Sequence, residues 1–291
     1  MAIGLRDVPD GAVDRSRIIG TLLVEEGRLT SKDVDRVQCF AKERGIRFGD
    51  AAVQLQLLTP DDVLAALARQ FNNPVLPLRG SGGVADEVIA AHNPESECVE
   101  PLRALRSQLL LRWFPSATRK VLAVVSPERG EGRSWLAANL ATTFAQIGIR
   151  TLLIDADMRQ PRQHILFNLG NAAGLCELLT GRAGRQVAQR LHPQLRLFVL
   201  PAGLLPPNPQ ELLSRPAFDV VIDRFAEKFD LMLLDTPAST QSADAQIIAA
   251  HAGSALLVAR RNHTGHARLK ETKESLTQIG VDVIGSVCTE H

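Results

Sequence analysis

Residues 121–134 read VLAVVSPERGEGRS, and this stretch decides the fold. Its first six residues form a valine-rich apolar run typical of a buried strand, and WLAANLATTFAQIG at 135–148 continues as a helix. Between a strand and a helix, glycines such as Gly130 and Gly132 let backbone N–H groups point at phosphate oxygens, and the helix N-terminus adds partial positive charge. The stretch predicts a phosphate-binding loop, although GEGRS alone also fits an ordinary strand-to-helix turn.

The two residues after the last glycine of this loop bear on its chemistry. Arg133 stands where a phosphate loop usually carries lysine. Its planar guanidinium can bridge phosphate oxygens as a fork, but it cannot follow the path of an ammonium group. The next residue, Ser134, is placed to ligate Mg²⁺.

Aspartates stand at the ends of two further apolar runs that predict strands. RTLLIDADMRQP at 150–161 contains Asp155 and Asp157, which strand alternation predicts on the same side, and FDLMLLDTPAS at 229–239 contains Asp235. The carboxyl ends of parallel strands line the ligand crevice of such sheets. Carboxylate oxygens suit Mg²⁺ on a nucleotide, so the three segments together predict a nucleotide site.

Three more apolar runs, near residues 195–203, 254–262 and 281–288, predict further strands with helical spacers between them. Helices that connect parallel strands must return across a face of the sheet. We therefore predict an α/β fold, a doubly wound and mostly parallel sheet of the P-loop NTPase type. A small all-helical domain precedes it.

That helical domain carries an internal repeat. The sequences TSKD at 30–33 and TPDD at 59–62 are capping boxes that lie 29 residues apart. Gly20 and Gly49 are separated by the same 29 residues. Each copy predicts a short helix, a turn and a longer helix. We predict a helical repeat domain over residues 1–75, a Gly/Ser-rich linker over 76–97 and the nucleotide-binding domain over 98–291.

The overall charge argues against nucleic acid as a partner. Lysine and arginine number 33 and aspartate and glutamate 32, a formal net charge of +1 without a strongly basic footprint. The four cysteines lie far apart without a CxxC pair, which fits a reducing cytoplasm. No apolar stretch reaches the roughly 20 residues that a membrane-spanning helix needs. We expect a cytoplasmic protein.

Four segments, SPERGEGRSWLAANLA, LLIDADMRQPRQH, LPAGLLPPNPQELL and FDLMLLDTP, together resemble the catalytic domain of the bacterial tyrosine kinases associated with exopolysaccharide chain-length determination. The resemblance covers roughly residues 98–288 and implies ATP and Mg²⁺ as ligands. It implies catalytic roles for Arg133, Asp155 and Asp157, nucleotide binding by Gly130, Glu131, Gly132, Arg133, Ser134, Trp135, Arg260 and Asn262, and metal binding by Ser134, Asp157 and Asp235.

The same resemblance implies an assembly. Glu100, Arg103 and Arg106 fall along one stripe of a predicted helix and resemble the family's oligomerisation motif, so we expect a homo-oligomer; a solvated charged face is the alternative. The resemblance also implies a membrane chain-length determinant as partner, which would hold this protein at the periphery of the inner membrane. The chain contains no tyrosine, so any acceptor tyrosine is expected on another protein.

The N-terminal repeat resembles the N-terminal domain of type II secretion and pilus-assembly ATPases, some of which bind cyclic di-guanylate. The resemblance would carry over Gly20, Leu23, Gly27, Arg47, Gly49 and Gln70. The sequence departs from the pattern at Arg17, Gln56 and Ala41. A protein-docking module is the alternative to a second-messenger site.

These features predict an ATP-dependent tyrosine kinase-like regulator of exopolysaccharide biosynthesis that phosphorylates in trans. One alternative is a non-catalytic scaffold that ATP switches between assembly states. Another is a partitioning-type ATPase, a class that carries a lysine where this chain has Glu128.

Overall fold

The computed structural model describes residues 20, 23–24, 27–60, 62–63, 66, 76–77, 83–117, 120–170, 173–183 and 187–290. The chain divides into two compact units, Met1–Pro74 and Val75–His291. Within the described ranges, no helix combines the length and the apolar character needed to span a membrane.

The smaller unit contains helices α1 (Ser31–Arg44) and α2 (Phe48–Gln54). Both predicted capping boxes form with matching geometry. The Asp33 N–H donates to Thr30 Oγ1 at 3.3 Å and the Thr30 N–H donates to Asp33 Oδ2 at 2.9 Å, while Thr59 and Asp62 make the same two bonds at 3.2 and 3.0 Å. The two capping boxes thus form the same contacts at positions 29 residues apart.

Two equivalent glycines allow close packing in this unit. A Cβ atom added to Gly20 would come within 2.7 Å of a Val34 methyl group, and one added to Gly49 within 2.5 Å of a Val63 methyl group. Helix packing therefore explains both glycines without a ligand. Gln70 lies outside the described residues, and cyclic di-guanylate binding stays a prediction.

The larger unit is built on a seven-stranded sheet of order β3-β4-β2-β5-β1-β6-β7, in which every pairing except β3 with β4 is parallel. The strands are β1 (Val121–Val125), β2 (Thr151–Asp155), β3 (Gln189–His192), β4 (Leu195–Leu200), β5 (Leu231–Asp235), β6 (Ser254–Arg260) and β7 (Asp282–Thr289). The helices are α3 (Ile89–His92), α4 (Glu100–Arg112), α5 (Arg133–Gln146), α6 (Gln163–Leu166), α7 (Leu175–Leu179), α8 (Pro209–Leu213), α9 (Ala217–Ala226), α10 (Asp244–Ala252) and α11 (His266–Gln278), with a 3₁₀ turn at Glu97–Val99.

Side chains of the central strands alternate between two hydrophobic cores, one on each face of the sheet. In β1, Val121 and Val125 lie in the core formed with helices α7 to α11, whereas Leu122 and Val124 lie in the core formed with α3, α4 and α5. Both faces of the central strands are buried, which explains their unbroken apolar runs. The predicted doubly wound, mostly parallel fold is confirmed.

Two details of the sheet differ from prediction. The antiparallel edge strand β3 was not predicted, because its residues, QRLH, show neither apolar alternation nor an apolar run. Strand β2 ends at Asp155, so Asp157 lies beyond the strand and its direction follows the loop. Strand alternation therefore does not set the direction of Asp157, although its charge still acts on Asp155 and raises the pKa of that carboxyl.

The predicted linker also differs from the structure where it is described. Val84, Val88 and Ala91 are buried in the core with α5, and Ala85 N–H donates to Leu166 O at 2.8 Å. Apolar burial and backbone hydrogen bonds hold residues 84–92 against the larger unit, so this part is not flexible coil. Residues 78–82, the Gly/Ser-rich centre of the predicted linker, lie outside the described residues.

Mutation of the fully buried Asn139 tests how much this packing stabilises the larger unit. Its Oδ1 accepts from Ala90 N–H at 2.9 Å and its Nδ2 donates to Glu87 O at 2.9 Å. Asn139→Ala leaves both backbone groups without these partners, so we expect it to lower the free energy of unfolding by about 3 kcal/mol. Urea unfolding measures the loss, with exposed Gln278→Ala as the control. A loss below about 1 kcal/mol would mean that residues 84–92 contribute little to the unit.

Candidate nucleotide site

The glycine loop joins β1 to the 14-residue helix α5. Gly130 and Gly132 have φ angles of +76° and +89°, in the left-handed region that side chains disfavour. Positive φ angles of this kind allow the N–H groups of a loop to turn toward a bound anion, and Gly132 is the N-cap of α5. The loop therefore has the local geometry of an anion cradle at a helix N-terminus.

The Arg133 side chain is buried beneath this loop. Its Nε donates to Thr236 O at 2.8 Å, and its Nη1 donates to Ser126 Oγ and Glu128 O. These bonds tie the start and end of the loop to the segment after β5. Arg133 thus makes structural hydrogen bonds within the protein, in addition to the contact with phosphate that is expected of it.

The outer side of the loop is bonded to the ends of β6 and β7. The buried Glu131 carboxylate accepts from Glu128 N–H at 2.7 Å and from the Thr264 hydroxyl, and Thr289 Oγ1 donates to Glu131 O at 2.9 Å. Arg260 Nη1 donates to Gly130 O at 3.3 Å. The turn after β6 is therefore coupled directly to the loop.

Two further residues that were predicted to bind nucleotide, Asn262 and Trp135, differ in setting. Asn262 is exposed and has a φ angle of +58°, so it forms a left-handed turn just after Arg260. Trp135 is half-buried and packs against the core that contains α5.

A cluster of buried oxygens lies beside the start of α5. Asp155 and Asp235 are register partners at the ends of the adjacent strands β2 and β5, and both side chains are inaccessible to solvent. Asp155 Oδ2 accepts from the Arg162 and Gln163 N–H groups at 3.0 and 2.8 Å. Asp235 Oδ2 accepts from Gln163 Nε2 at 2.8 Å, and the Ser134 hydroxyl is near enough to lower the pKa of the Asp235 carboxyl. Asp155, Asp235 and Ser134 are thus brought together.

Three oxygens of this cluster have no hydrogen-bond donor: Asp155 Oδ1, Asp235 Oδ1 and Gln163 Oε1. In the described part of the chain, one other buried side-chain atom shares this condition, Arg106 Nε. An unpaired buried polar atom costs about 1–3 kcal/mol. Such a concentration of unpaired oxygens fits a cation bound between them.

The ionisation of the two aspartates reflects the same crowding. Burial raises the pKa of Asp235 to about 6, against hydrogen bonds from Gln163 and Ser134 and the charge of Arg133, which lower it. Burial, and then the charge of Asp235, raise the pKa of Asp155 well above its usual range. Two neighbouring buried carboxylates resist double ionisation, and a divalent cation would relieve this repulsion.

Asp157 has a different environment. Its Oδ1 accepts from the Arg159 and Gln160 N–H groups at 3.0 and 2.8 Å, which shapes the loop after β2. Arg159 in turn makes a bidentate ion pair with buried Asp244, through Nε at 2.7 Å and Nη2 at 3.1 Å. The loop after β2 is therefore tied to the start of α10, the helix that follows β5.

The predicted oligomerisation stripe lies on α4. Arg103 pairs with Glu100 at 3.3 Å and donates to Pro94 O at 2.6 Å. Arg106 donates to Thr143 O at 2.9 Å, one of the last carbonyls of α5, where a cation is favourable. Glu100 is 71% exposed. Both arginines thus have partners within the chain.

Sequence reasoning missed two residues of the site. Gln163 bridges Ser134 O and Asp235, and Thr236 O holds Arg133. Thr236 follows Asp235 directly, so position could have indicated it. Gln163 follows β2 by eight residues, and no periodic pattern in the sequence signals that its side chain returns to the acids.

In the described ranges, no group of three or more His, Cys, Asp or Glu residues is arranged to hold a metal by itself. Mg²⁺ in nucleotide sites usually takes few protein ligands and completes its shell with phosphate oxygens and water. The glycine loop, the start of α5 and the neighbouring strand-end acids define a P-loop NTPase.

Comparison with known proteins places the chain more closely. Residues 119–282 match the family model described as cellulose biosynthesis protein BcsQ. The chain is 34% identical over 196 residues to a putative tyrosine-protein kinase CapB of Staphylococcus aureus, covering 67% of this chain and 85% of that protein. The kinase domain of the Escherichia coli tyrosine kinase ETK is similar with a TM-score of 0.65 and 29% identity, covering 69% of this chain and 79% of that one. The chain belongs to the BcsQ and bacterial tyrosine-protein kinase family, which confirms that resemblance.

Some relatives are much longer than the matched region. A putative tyrosine-protein kinase EpsB of Ralstonia solanacearum is 37% identical over 202 residues, which is 69% of this chain but 26% of that protein. The chain thus spans about a quarter of this relative's length. No comparison bears on the N-terminal resemblance to secretion ATPases, which stays a prediction.

Proposed function

We propose that this protein binds ATP with Mg²⁺ and acts as a tyrosine kinase-like regulator of exopolysaccharide biosynthesis. In this proposal it works with a membrane chain-length determinant and phosphorylates tyrosines of another protein. The observation that carries the proposal is the group of unpaired oxygens of Asp155, Asp235 and Gln163 beside Ser134, next to the glycine loop. The 291 residues contain no tyrosine, so in this proposal the acceptor tyrosine lies on another protein.

The roles of the residues follow from their positions. The N–H groups around Gly130 and Gly132 would bind phosphate oxygens at the positive end of α5. Ser134, Asp157 and Asp235 would hold the metal, as the resemblance implies, and the unpaired Oδ1 of Asp155 would add a further ligand beside Asp235. The metal would neutralise charge on the phosphates. Asp155 would also help to activate the acceptor, and Arg260 and Asn262 would border the base. Phosphoryl transfer needs mainly such positioning and charge neutralisation.

The test uses the full chain with Mg²⁺ and ATP labelled on the terminal phosphate. A synthetic copolymer of glutamate and tyrosine serves as the acceptor. Transfer of label to the copolymer, abolished by EDTA, supports the kinase proposal. If neither the copolymer nor water receives the phosphate, the kinase proposal is wrong.

One observation favours a non-catalytic scaffold as the second candidate. The Arg133 guanidinium, expected on the phosphates, is engaged by Thr236 O, Glu128 O and Ser126 Oγ. A cation held this way contributes less to stabilising a transition state. If ATP changes the oligomeric state in light scattering without phosphate release, the scaffold proposal is supported.

Mutation of the charged stripe on α4 tests the proposed oligomer. We expect Arg103→Ala combined with Arg106→Ala to shift the Mg²⁺–ATP oligomer toward monomer in light scattering, because the stripe then loses both cations. Arg112→Ala, an exposed change on the same helix, is the control. The melting temperature of the double variant reports damage to the bonds with Pro94 O and Thr143 O. An unchanged oligomer would show that these arginines serve only the internal contacts.

A further inference from the structure

The buried Gln163 side chain contacts both halves of the proposed metal site. It is inaccessible to solvent and projects from the start of α6. Its Nε2 donates to Ser134 O at 3.1 Å and to Asp235 Oδ2 at 2.8 Å. An amide nitrogen carries two hydrogens, so both are used. The side chain therefore links the first turn of α5 to the end of β5.

These two bonds fix the orientation of the amide. Turning the group over would set its oxygen against two acceptors, a carbonyl and a carboxylate. The Oε1 atom must therefore occupy the other position, where it has no hydrogen-bond donor. Asp155 Oδ1 and Asp235 Oδ1 share this condition, and Asp155 Oδ2 is bonded to the backbone N–H of Gln163 itself at 2.8 Å.

We propose that Gln163 is a positioning and cation-binding residue of this site. Its NH₂ group holds Asp235 against the Ser134 backbone, and its carbonyl oxygen joins Asp155 Oδ1 and Asp235 Oδ1 in a set of hard oxygen ligands for Mg²⁺. The inference deepens the proposed function, since the cation is the one that accompanies the nucleotide. It assigns a metal-site role to a neutral side chain that follows Asp155 and Asp157 in the segment LLIDADMRQPRQH.

The experiment compares three variants of the full chain: Gln163→Met, Gln163→Glu and the control Gln160→Met. Gln160 lies in the same loop with an exposed side chain. The first readout is the melting temperature with EDTA and with millimolar Mg²⁺ but no nucleotide, so it reports the oxygen set directly. The second is binding of a fluorescent ADP analogue with EDTA and with Mg²⁺.

Gln163→Met keeps the volume and removes the oxygen, so we expect the Mg²⁺-dependent gain in ADP affinity to fall about tenfold or more. Affinity in EDTA should change less than about threefold. Gln163→Glu adds a third buried carboxylate, so its melting temperature should fall in EDTA and recover with Mg²⁺ more than that of the unchanged protein.

Each readout can overturn the inference. An equal loss of ADP affinity with and without Mg²⁺ in Gln163→Met would mean a purely structural role. A Mg²⁺ shift in Gln163→Glu no larger than that of the unchanged protein would contradict cation binding by this side chain. Failure of the unchanged protein to bind ADP would instead contradict the proposed function, while the nucleotide-free melting data would still decide the role of Gln163.

Discussion

Asp235→Asn is expected to make the nucleotide-free protein more stable while weakening Mg²⁺-dependent nucleotide binding about 10- to 100-fold. In the native fold Asp235 is buried beside Asp155, and one of its oxygens has no donor. Asparagine keeps an acceptor for Gln163 and removes the charge that burial disfavours. The lost carboxylate is also a lost Mg²⁺ ligand, so binding falls as stability rises.

The stability gain should depend on pH in a defined direction. Burial raises the pKa of Asp235 from the usual 3.8 to about 6. A carboxyl group with a raised folded-state pKa destabilises the fold progressively as pH rises from the unfolded value through the folded one. The gain from Asp235→Asn should therefore be near zero at pH 4 and reach roughly 2–3 kcal/mol above pH 6.

Urea unfolding at pH 4.5 and 7.5 in EDTA measures this difference. Asp230→Asn, a change in an exposed residue just before β5, is the matched control. A parallel pH dependence in Asp235→Asn and the unchanged protein would mean that Asp235 carries no ionisation penalty in the fold. If nucleotide binding by Asp235→Asn depended on Mg²⁺ as strongly as binding by the unchanged protein, Asp235 would not be a metal ligand.

Arg133→Lys is expected to lower stability and to preserve or raise the rate of phosphate release. The guanidinium reaches Thr236 O, Glu128 O and Ser126 Oγ together, whereas the compact ammonium of lysine cannot span this set. Losing one or two of these bonds should cost about 2 kcal/mol. The lysine ammonium is then free to follow the usual path to the phosphates.

Phosphate release and urea unfolding on the same preparations test both parts. Arg129→Lys, an exposed change in the same loop, is the control. A fall in both stability and turnover would indicate that the guanidinium itself contacts phosphate productively. Absence of phosphate release from both proteins would favour the scaffold function.

The predictable part of the fold came from patterns that act over short distances. Unbroken apolar runs in β1, β2 and β5 predicted strands buried on both faces, and those strands have that burial. Thr30 and Thr59 predicted helix starts because a capping box is satisfied within one turn. The edge strand β3 was missed because its pairing with β4 depends on a neighbour and not on its own composition.

The candidate site was predictable to the same extent. Asp155 and Asp235 end apolar strands, and parallel pairing necessarily brings such ends to one edge. Their shared burial and their two unpaired oxygens were not predictable, since they depend on which side chains close the site above them. The docking of residues 84–92 against α5 was likewise missed, because the nearby glycines and serine indicate a linker whatever surrounds them.

The amino-acid sequence by itself determined the strands, the glycine loop, the capping boxes and the edge at which the acids meet, because each depends on local backbone preference or on the rule of parallel pairing. Only the tertiary structure decided that Gln163 returns to Asp235, that Arg133 is bonded beneath its own loop, and that residues 84–92 join the larger unit. Those contacts link residues distant in the chain, and side-chain hydrogen bonds in a closed interior depend on three-dimensional proximity that no short sequence pattern records.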